Sequence, residues 1–173
     1  MRSYLEKGPA PRFLRVVAPG VTVLDRIPAG RGAELKRFAE RAPSALPSFC
    51  RPNVLEMIDL AKDEEQSFYR VLALEAAGAF AAVVGFGLVS GCEGTYDFFG
   101  CVGVDPGWAL RGVEVWATWL REAGARLARA ELDRAGEVAF GALAAEGFAR
   151  EGTLRDFYGP GDDQRLLIWR PAR

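Results

Sequence analysis

The spacing of apolar residues divides the chain into segments of helical and of β-strand character. Apolar side chains three or four positions apart, which form one face of an α-helix, predict helices over residues 32–41, from 52, from 113 and over 137–146. Runs rich in β-branched and aromatic residues predict strands between and around these helices. The strands are expected over residues 21–24, 68–75, 80–89, 95–104, 127–132, 148–154 and 166–169.

The predicted elements follow the order β, α, α, β, β, β, α, β, α, β, β. An antiparallel run of strands followed by βαβ units implies a mixed sheet of about six or seven strands with helices on both faces. The fold class is therefore α/β (mixed α+β). Residues 43–52, which contain three prolines, and residues 105–112 are expected to be loops.

The chain has the length of one domain and is expected to form one. Residues 1–20 contain Pro9, Pro11 and Pro19 and predict an N-terminal arm outside the core. Residues 21–173 contain no evident linker or internal repeat, and they are long enough to bury a sizeable core as a single domain.

Charge and composition argue against several classes of protein. The 22 basic and 23 acidic residues nearly cancel, whereas nucleic-acid binding usually depends on a basic face. The longest apolar run, residues 76–89, is too short to span a bilayer, and the N-terminal segment is too polar for a signal peptide. We therefore expect no nucleic-acid or membrane partner.

The cysteine and histidine counts bear on the chemistry and the compartment. The chain has three cysteines, no CxxC pair and no histidine, which argues against zinc sites and histidine-dependent nucleophiles. No metal site is expected. Sparse, unpaired cysteines are typical of the reducing cytoplasm, where we expect this protein.

Three residue runs carry a resemblance to a known family. They are EGTYDFFGCVGVDP at positions 93–106, Glu146-Gly147-Phe148, and LRDFYGPGDD at positions 154–163. Together with the element order, they resemble the GNAT superfamily of acetyl-CoA-dependent N-acetyltransferases over roughly residues 21–170. The resemblance implies the GNAT acyl-CoA N-acyltransferase fold.

In that family, the strand matching residues 95–104 parts from its neighbour and leaves backbone groups unpaired. These groups hold the pantetheine arm of acetyl-CoA or another acyl-CoA, and an N–H can polarise the thioester carbonyl. The resemblance assigns this role to Cys101, Val102, Gly103 and Val104. An ordinary, fully paired central strand is the alternative interpretation.

The next segment matches the family's diphosphate-binding loop, which opens a helix with the pattern Q/R-x-x-G-x-G/A. The resemblance assigns Arg111, Gly112 and Val113 to the cofactor. Glu114 replaces the final small residue, and a carboxylate ~5 Å from a phosphate would cost about 1–3 kcal/mol. Binding is therefore expected to be weakened or lost, and Glu114→Gly to strengthen it if repulsion is the obstacle.

The family's catalytic tyrosine has no counterpart here, because Leu143 stands at its position. Asp97 and Glu93 are candidate bases, and Tyr96 and Tyr158 are candidate acids that could replace the missing hydroxyl. Asp162 and Asp163 are weaker candidates for holding an amine. The alternative interpretation of Asp97 and Glu93 is that both are solvated charges at the edge of a strand.

Two functional hypotheses follow, and the sequence leaves open whether the chain is an enzyme. The first is acyl-CoA-dependent N-acyl transfer, most simply of an acetyl group, to a primary amine of a small molecule or peptide. The alternative is a non-catalytic GNAT-fold binding or dimerisation module that has lost acetyl-CoA turnover. A third idea is that the same cleft holds a ligand without a diphosphate; a homodimer is left open.

Overall fold

The structure is a computed structural model that describes residues 14–18, 20–25, 27, 30–47, 50–61, 68–134 and 136–171. Its strands are β1 Leu14–Ala18, β2 Val21–Leu24, β3 Ser44–Leu46, β4 Tyr69–Ala76, β5 Ala79–Leu88, β6 Thr95–Gly103, β7 Leu127–Leu132, β8 Phe148–Gly159 and β9 Asp162–Trp169. Its helices are α1 Gly32–Arg41, α2 Cys50–Leu60, α3 Pro106–Glu122 and α4 Glu137–Ala145.

One mixed sheet organises the molecule and confirms the predicted fold class. Its strand order is β1-β2-β4-β5-β6-β7-β9-β8, and β3 pairs with β6 outside this path. Only the β6–β7 pair is parallel among these pairs. Helices α3 and α4 contribute to the core on one face, and α1 and α2 contribute to the core on the other. Among the described residues, no helix is long and apolar enough to cross a membrane.

Two strands lie where the sequence predicted none. Strand β1 falls within the predicted N-terminal arm and pairs with β2, while residues 1–13 and 19 lie outside the described residues. Strand β3 and the first residues of α2 fall within the predicted loop 43–52, and α2 begins at Cys50 rather than at Pro52. A three-residue strand flanked by prolines is too short to produce a recognisable periodic pattern.

The predicted loop 105–112 is wrong, because α3 begins at Pro106. Asp105 is the N-cap residue, and its side chain accepts a hydrogen bond from the Trp108 N–H at 2.8 Å. Proline is well suited to the first helical position, since it has no N–H to satisfy there. The buried stripe of α3 already starts at Ala109 and continues through Val113 and Trp116.

A β-bulge in β6 divides its side chains between the two cores. Gly85 pairs with Gly100 and Phe86 with Phe98, so Phe99 is the extra residue. The predicted common face of Tyr96, Phe98, Val102 and Val104 is therefore interrupted: Phe98 lies in the α3 core and Val102 in the α2 core.

Candidate functional site

Strands β6 and β7 part within the sheet, as the resemblance implies. Their parallel pairing runs from Thr95 opposite Leu127 to Phe98 opposite Ala130, and it ends there. The second half of β6, beyond the bulge, remains paired with β5 on its other edge. Beyond Phe98, β7 therefore no longer pairs with the edge of β6 that faces away from β5. This is the position expected for the thioester-bearing arm.

The backbone groups facing this edge belong to Cys101 and Gly103. The Val104 N–H donates a hydrogen bond to the carbonyl oxygen of Ala81 on β5 at 2.9 Å. Because hydrogen-bonded and non-hydrogen-bonded positions alternate along an antiparallel pair, Val102 also faces β5, whereas Cys101 and Gly103 face the opposite edge. Beside this edge lies the gap that opens where β6 and β7 part, here called the slot. Two of the four residues assigned to the pantetheine arm, Cys101 and Gly103, thus direct their backbone groups towards it.

Strand β3 occupies this edge. Its register places Leu46 opposite Cys101 and Ser44 opposite Gly103. By the same alternation, these are the pairs that exchange backbone hydrogen bonds. The groups of β6 that would hold an acyl-CoA arm are therefore paired within the protein.

The last residue of β3 and the residue after it are both buried near the start of α4. Leu46 is 5% exposed, and Pro47 is also buried. A Cβ atom added to Gly136, just before α4, would lie 3.0 Å from the Cβ of Pro47. Beside it, the buried Asp133 carboxylate accepts a hydrogen bond from the Gly136 N–H at 2.7 Å. Pro47, the residue after β3, therefore lies against the start of α4.

The segment matched to the diphosphate loop is helical and lies against β6. A Cβ atom added to Gly103 would lie 2.6 Å from the backbone nitrogen of Ala109. Gly112 and Val113 are buried, and a Cβ atom at Gly112 would lie 2.6 Å from the Cys101 Sγ. Arg111 is exposed, with its guanidinium 5.6 Å from the centre of the Trp108 ring. Close helix-to-sheet packing therefore accounts for Gly112.

An acyl-CoA does not fit this arrangement as it is folded. The edge for its amide-bearing arm is paired with β3, and the loop for its diphosphate is replaced by the first two turns of α3. The N-terminus of α3, which would attract an anion, already holds the Asp105 carboxylate. Glu114 lies exposed on α3, away from any loop.

The predicted base Asp97 is engaged in an ion pair. Both of its carboxylate oxygens accept hydrogen bonds from Arg129, from Nε and from Nη2, each at 2.6 Å. The two residues lie opposite each other where β6 and β7 are still paired. The hydrogen bond with Asp97 raises the pKa of Arg129 above its ordinary value. Asp97 thus forms an ion pair across the part of the sheet where β6 and β7 are still paired.

The other predicted catalytic residues do not converge on the slot. Tyr96 packs its ring against Phe86 and Trp119, with centroids 6.2 and 5.2 Å away, and burial raises the pKa of its hydroxyl. Glu93 is exposed in the turn before β6, and Leu143 is a fully buried core residue.

The acidic residues of the hairpin between β8 and β9 accept hydrogen bonds from within the hairpin and from the residues that follow β7. Asp162 accepts a hydrogen bond from the Arg134 N–H at 2.8 Å, and Asp163 from the Asp156 N–H at 3.0 Å. The Tyr158 hydroxyl accepts one from Gln164 Nε2 at 3.3 Å, and burial raises its pKa. Among the described residues, no group of three or more histidine, cysteine or acidic side chains could hold a metal ion.

The thiols inside the site are expected to be unreactive. Burial raises the pKa of Cys50 to about 12 and that of Cys101 well above its ordinary value, whereas Cys92 is exposed. Because the thiolate is the reactive form, Ellman's reagent should label one of the three thiols in the native protein and all three after denaturation. Cys92→Ser should then be unreactive when native; fast labelling of a second thiol would show that the slot is open.

Comparison with solved structures places this fold. A GNAT-family protein from Desulfovibrio desulfuricans matches 88% of this chain and 99% of its own, with a TM-score of 0.68 and 19% identity. The ribosomal-protein-S18-alanine N-acetyltransferase from Escherichia coli matches 88% of this chain and 95% of its own, with a TM-score of 0.64 and 15% identity. An acetyltransferase-like protein from Salmonella typhimurium, solved with acetyl-CoA, matches 87% and 94%, with a TM-score of 0.59 and 14% identity.

The mixed sheet with its parted strands is shared with these solved structures at the level of the fold. The chain has the GNAT acyltransferase fold, and the resemblance found in its sequence is confirmed at that level. No protein-family model and no curated protein matches the chain by sequence.

Proposed function

We propose that this protein is a non-catalytic GNAT-fold binding or dimerisation module that does not turn over acetyl-CoA. The observation that carries the proposal is the pairing of β3 with Cys101–Gly103, at the edge where the fold would hold the cofactor's arm. A ligand that binds through backbone pairing has to displace a strand that already makes those hydrogen bonds.

Three further features support the same conclusion. The α3 helix replaces the diphosphate loop, and a carboxylate caps it. Leu143 offers no proton to a leaving thiolate, and general acid catalysis typically contributes about 10²–10⁴-fold. Asp97, the base candidate within β6, is held by two hydrogen bonds from Arg129. Each feature alone weakens acyl transfer. Together they affect cofactor binding, the supply of a general acid and the supply of a general base.

The proposal predicts that millimolar CoA or acetyl-CoA leaves the melting temperature unchanged. A ligand at about 100 times its Kd would add about 2.7 kcal/mol to the free energy of unfolding, which differential scanning fluorimetry detects readily. Acetyl-CoA with spermidine or a peptide amine should release no CoA thiol above the protein-free rate. A saturable rise in melting temperature, or amine-dependent thiol release, would overturn the proposal.

Glu114→Gly serves as the matched variant for this experiment. Charge repulsion at a loop would make this change restore binding, whereas Glu114 lies within α3. We therefore expect no binding by the variant and a loss of about 1 kcal/mol of stability, since glycine weakens a helix interior. If Glu114→Gly bound acetyl-CoA and the unmodified protein did not, charge repulsion by Glu114 would explain the lack of binding instead.

Acyl transfer to a primary amine of a small molecule or peptide is the second candidate. It is favoured by the parting of β6 and β7 and by neighbours of the same fold, one of them solved with acetyl-CoA. It requires β3 to leave its place before the cofactor binds. The melting and thiol-release measurements above separate the two candidates.

A further inference from the structure

The connection between α1 and α2 is tied together at its base by Arg51. This residue lies in the first turn of α2, and its Nη1 donates hydrogen bonds to the carbonyl oxygens of Ala39 at 2.6 Å and Glu40 at 3.4 Å. Its Nη2 donates to the carbonyl oxygen of Ala42, just before β3. One guanidinium therefore binds two carbonyls in the last turn of α1 and joins the two ends of the segment that carries β3.

Strand β3 itself is held less firmly than the strands around it. It makes three residue pairs with β6, whereas β4 and β5 pair along eight. Within β3 only Leu46 is buried, and Ser44 and Ala45 are partly exposed. Short, partly exposed elements open locally at lower free energy than the core strands beside them.

From these contacts we propose that β3 is a displaceable internal strand, latched by Arg51, that occupies the β6 edge in place of an extended ligand. Release of the latch lets β3 leave while β5, β6 and α3 keep their places. The freed edge then presents the backbone groups of Cys101 and Gly103, and α3 still covers the position of a diphosphate site. The ligand class that suits this edge is a neutral, extended chain with amide groups and no diphosphate.

This inference rests on the proposed closure of the slot and adds how the closure is controlled. Amide hydrogen exchange measured by NMR tests it, because neighbouring residues of β6 point to different partners. The amides of Cys101 and Gly103 face β3, whereas the amides of Val102 and Val104 face β5. The second pair is thus a control within the same strand.

Arg51→Ala is expected to speed exchange at Cys101 and Gly103 by at least about tenfold, with Val102 and Val104 changed little. Arg51→Lys should give a smaller increase than Arg51→Ala, because its ammonium keeps hydrogen-bond donors for these carbonyls but lacks the planar fork with which the guanidinium reaches both sides at once. Arg41→Ala is the matched control, since this exposed arginine of α1 makes none of the latch contacts. If Arg51→Ala increased the exchange rate equally at all four amides, or changed it at none, the proposed role of Arg51 as a latch would be refuted.

Two further measurements complete the test. If Arg51→Ala does not fold, low denaturant applied to the unmodified protein should open Cys101 and Gly103 before Val102 and Val104, and simultaneous opening would refute displacement. S-acetylpantetheine should shift the Cys101 and Gly103 resonances of Arg51→Ala saturably and leave those of the unmodified protein in place; no shift would refute the ligand class. Acetyl-CoA binding by the unmodified protein would instead refute the proposed function and leave the exchange pattern as its own result.

Discussion

Gly100→Ala is expected to lower the free energy of unfolding by about 4 kcal/mol or more, a loss that puts a domain of this size near its stability limit. A Cβ atom at this position would lie 2.0 Å from the Cβ of Cys50, at the start of α2. Neither atom belongs to a flexible side-chain end, so α2 has to move away from the sheet. The positive φ of 144° at Gly100 adds backbone strain for any other residue. Urea denaturation of the purified variant measures the effect.

Gly159→Ala is the matched control, because its positive φ of 146° is close to that of Gly100 and nothing lies within 4 Å of an added Cβ. It should lose only about 1–3 kcal/mol, which is the strain of the positive-φ backbone alone. The difference between the two variants then measures the contact of α2 with the bulge. Similar losses for both would show that α2 is not docked on β6 as described.

Gly103→Ala is expected to lower the free energy of unfolding by about 3 kcal/mol, because overpacking against backbone atoms cannot be relieved by a rotamer change. The added Cβ would lie 2.6 Å from the Ala109 nitrogen and 3.0 Å from the Asp105 carbonyl oxygen. The variant therefore asks directly whether α3 starts at Pro106 or whether a loop precedes it. A loop would yield to the extra methyl group, whereas a capped helix has to shift as a whole.

Gly141→Ala provides the control for this second variant. Gly141 lies in α4 with nothing within 4 Å of an added Cβ, so alanine should stabilise the protein by up to about 1 kcal/mol. Opposite signs for the two substitutions, measured by thermal and urea unfolding, are the expected result. If Gly103→Ala left the stability unchanged, the interpretation of this segment as a loop would again be favoured. Such a loop could bind a diphosphate.

Closure of the slot separates having the GNAT fold from having the GNAT site. The order of elements and the parting of β6 and β7 are properties of the fold, and they are present here. Binding depends on which groups remain unpaired at the parted edge, and in this chain Leu46 and Ser44 take them. A shared fold therefore does not by itself imply a shared activity.

Periodicity predicted the long elements well because each buries a continuous face. Leu35 and Ala39 in α1, and Val54 and Ile58 in α2, are buried at the spacing that predicted these helices. The start of α3 was missed: Asp105-Pro106 is a typical N-cap and first helical residue, but residues 105–112 were expected to form a loop. Trp119, for which the sequence analysis made no prediction, is buried against Phe86 and Tyr96.

The sequence by itself determined the fold class, the order of the main elements and the presence of leucine at position 143, because these follow from periodicity and residue identity along the chain. Only the tertiary structure decided that β3 pairs with β6, that Asp97 belongs to Arg129 and that Arg51 caps α1. Each of these depends on backbone or charged groups far apart in sequence, and their pairing leaves no periodic pattern. The state of the candidate site is a property of those long-range pairs.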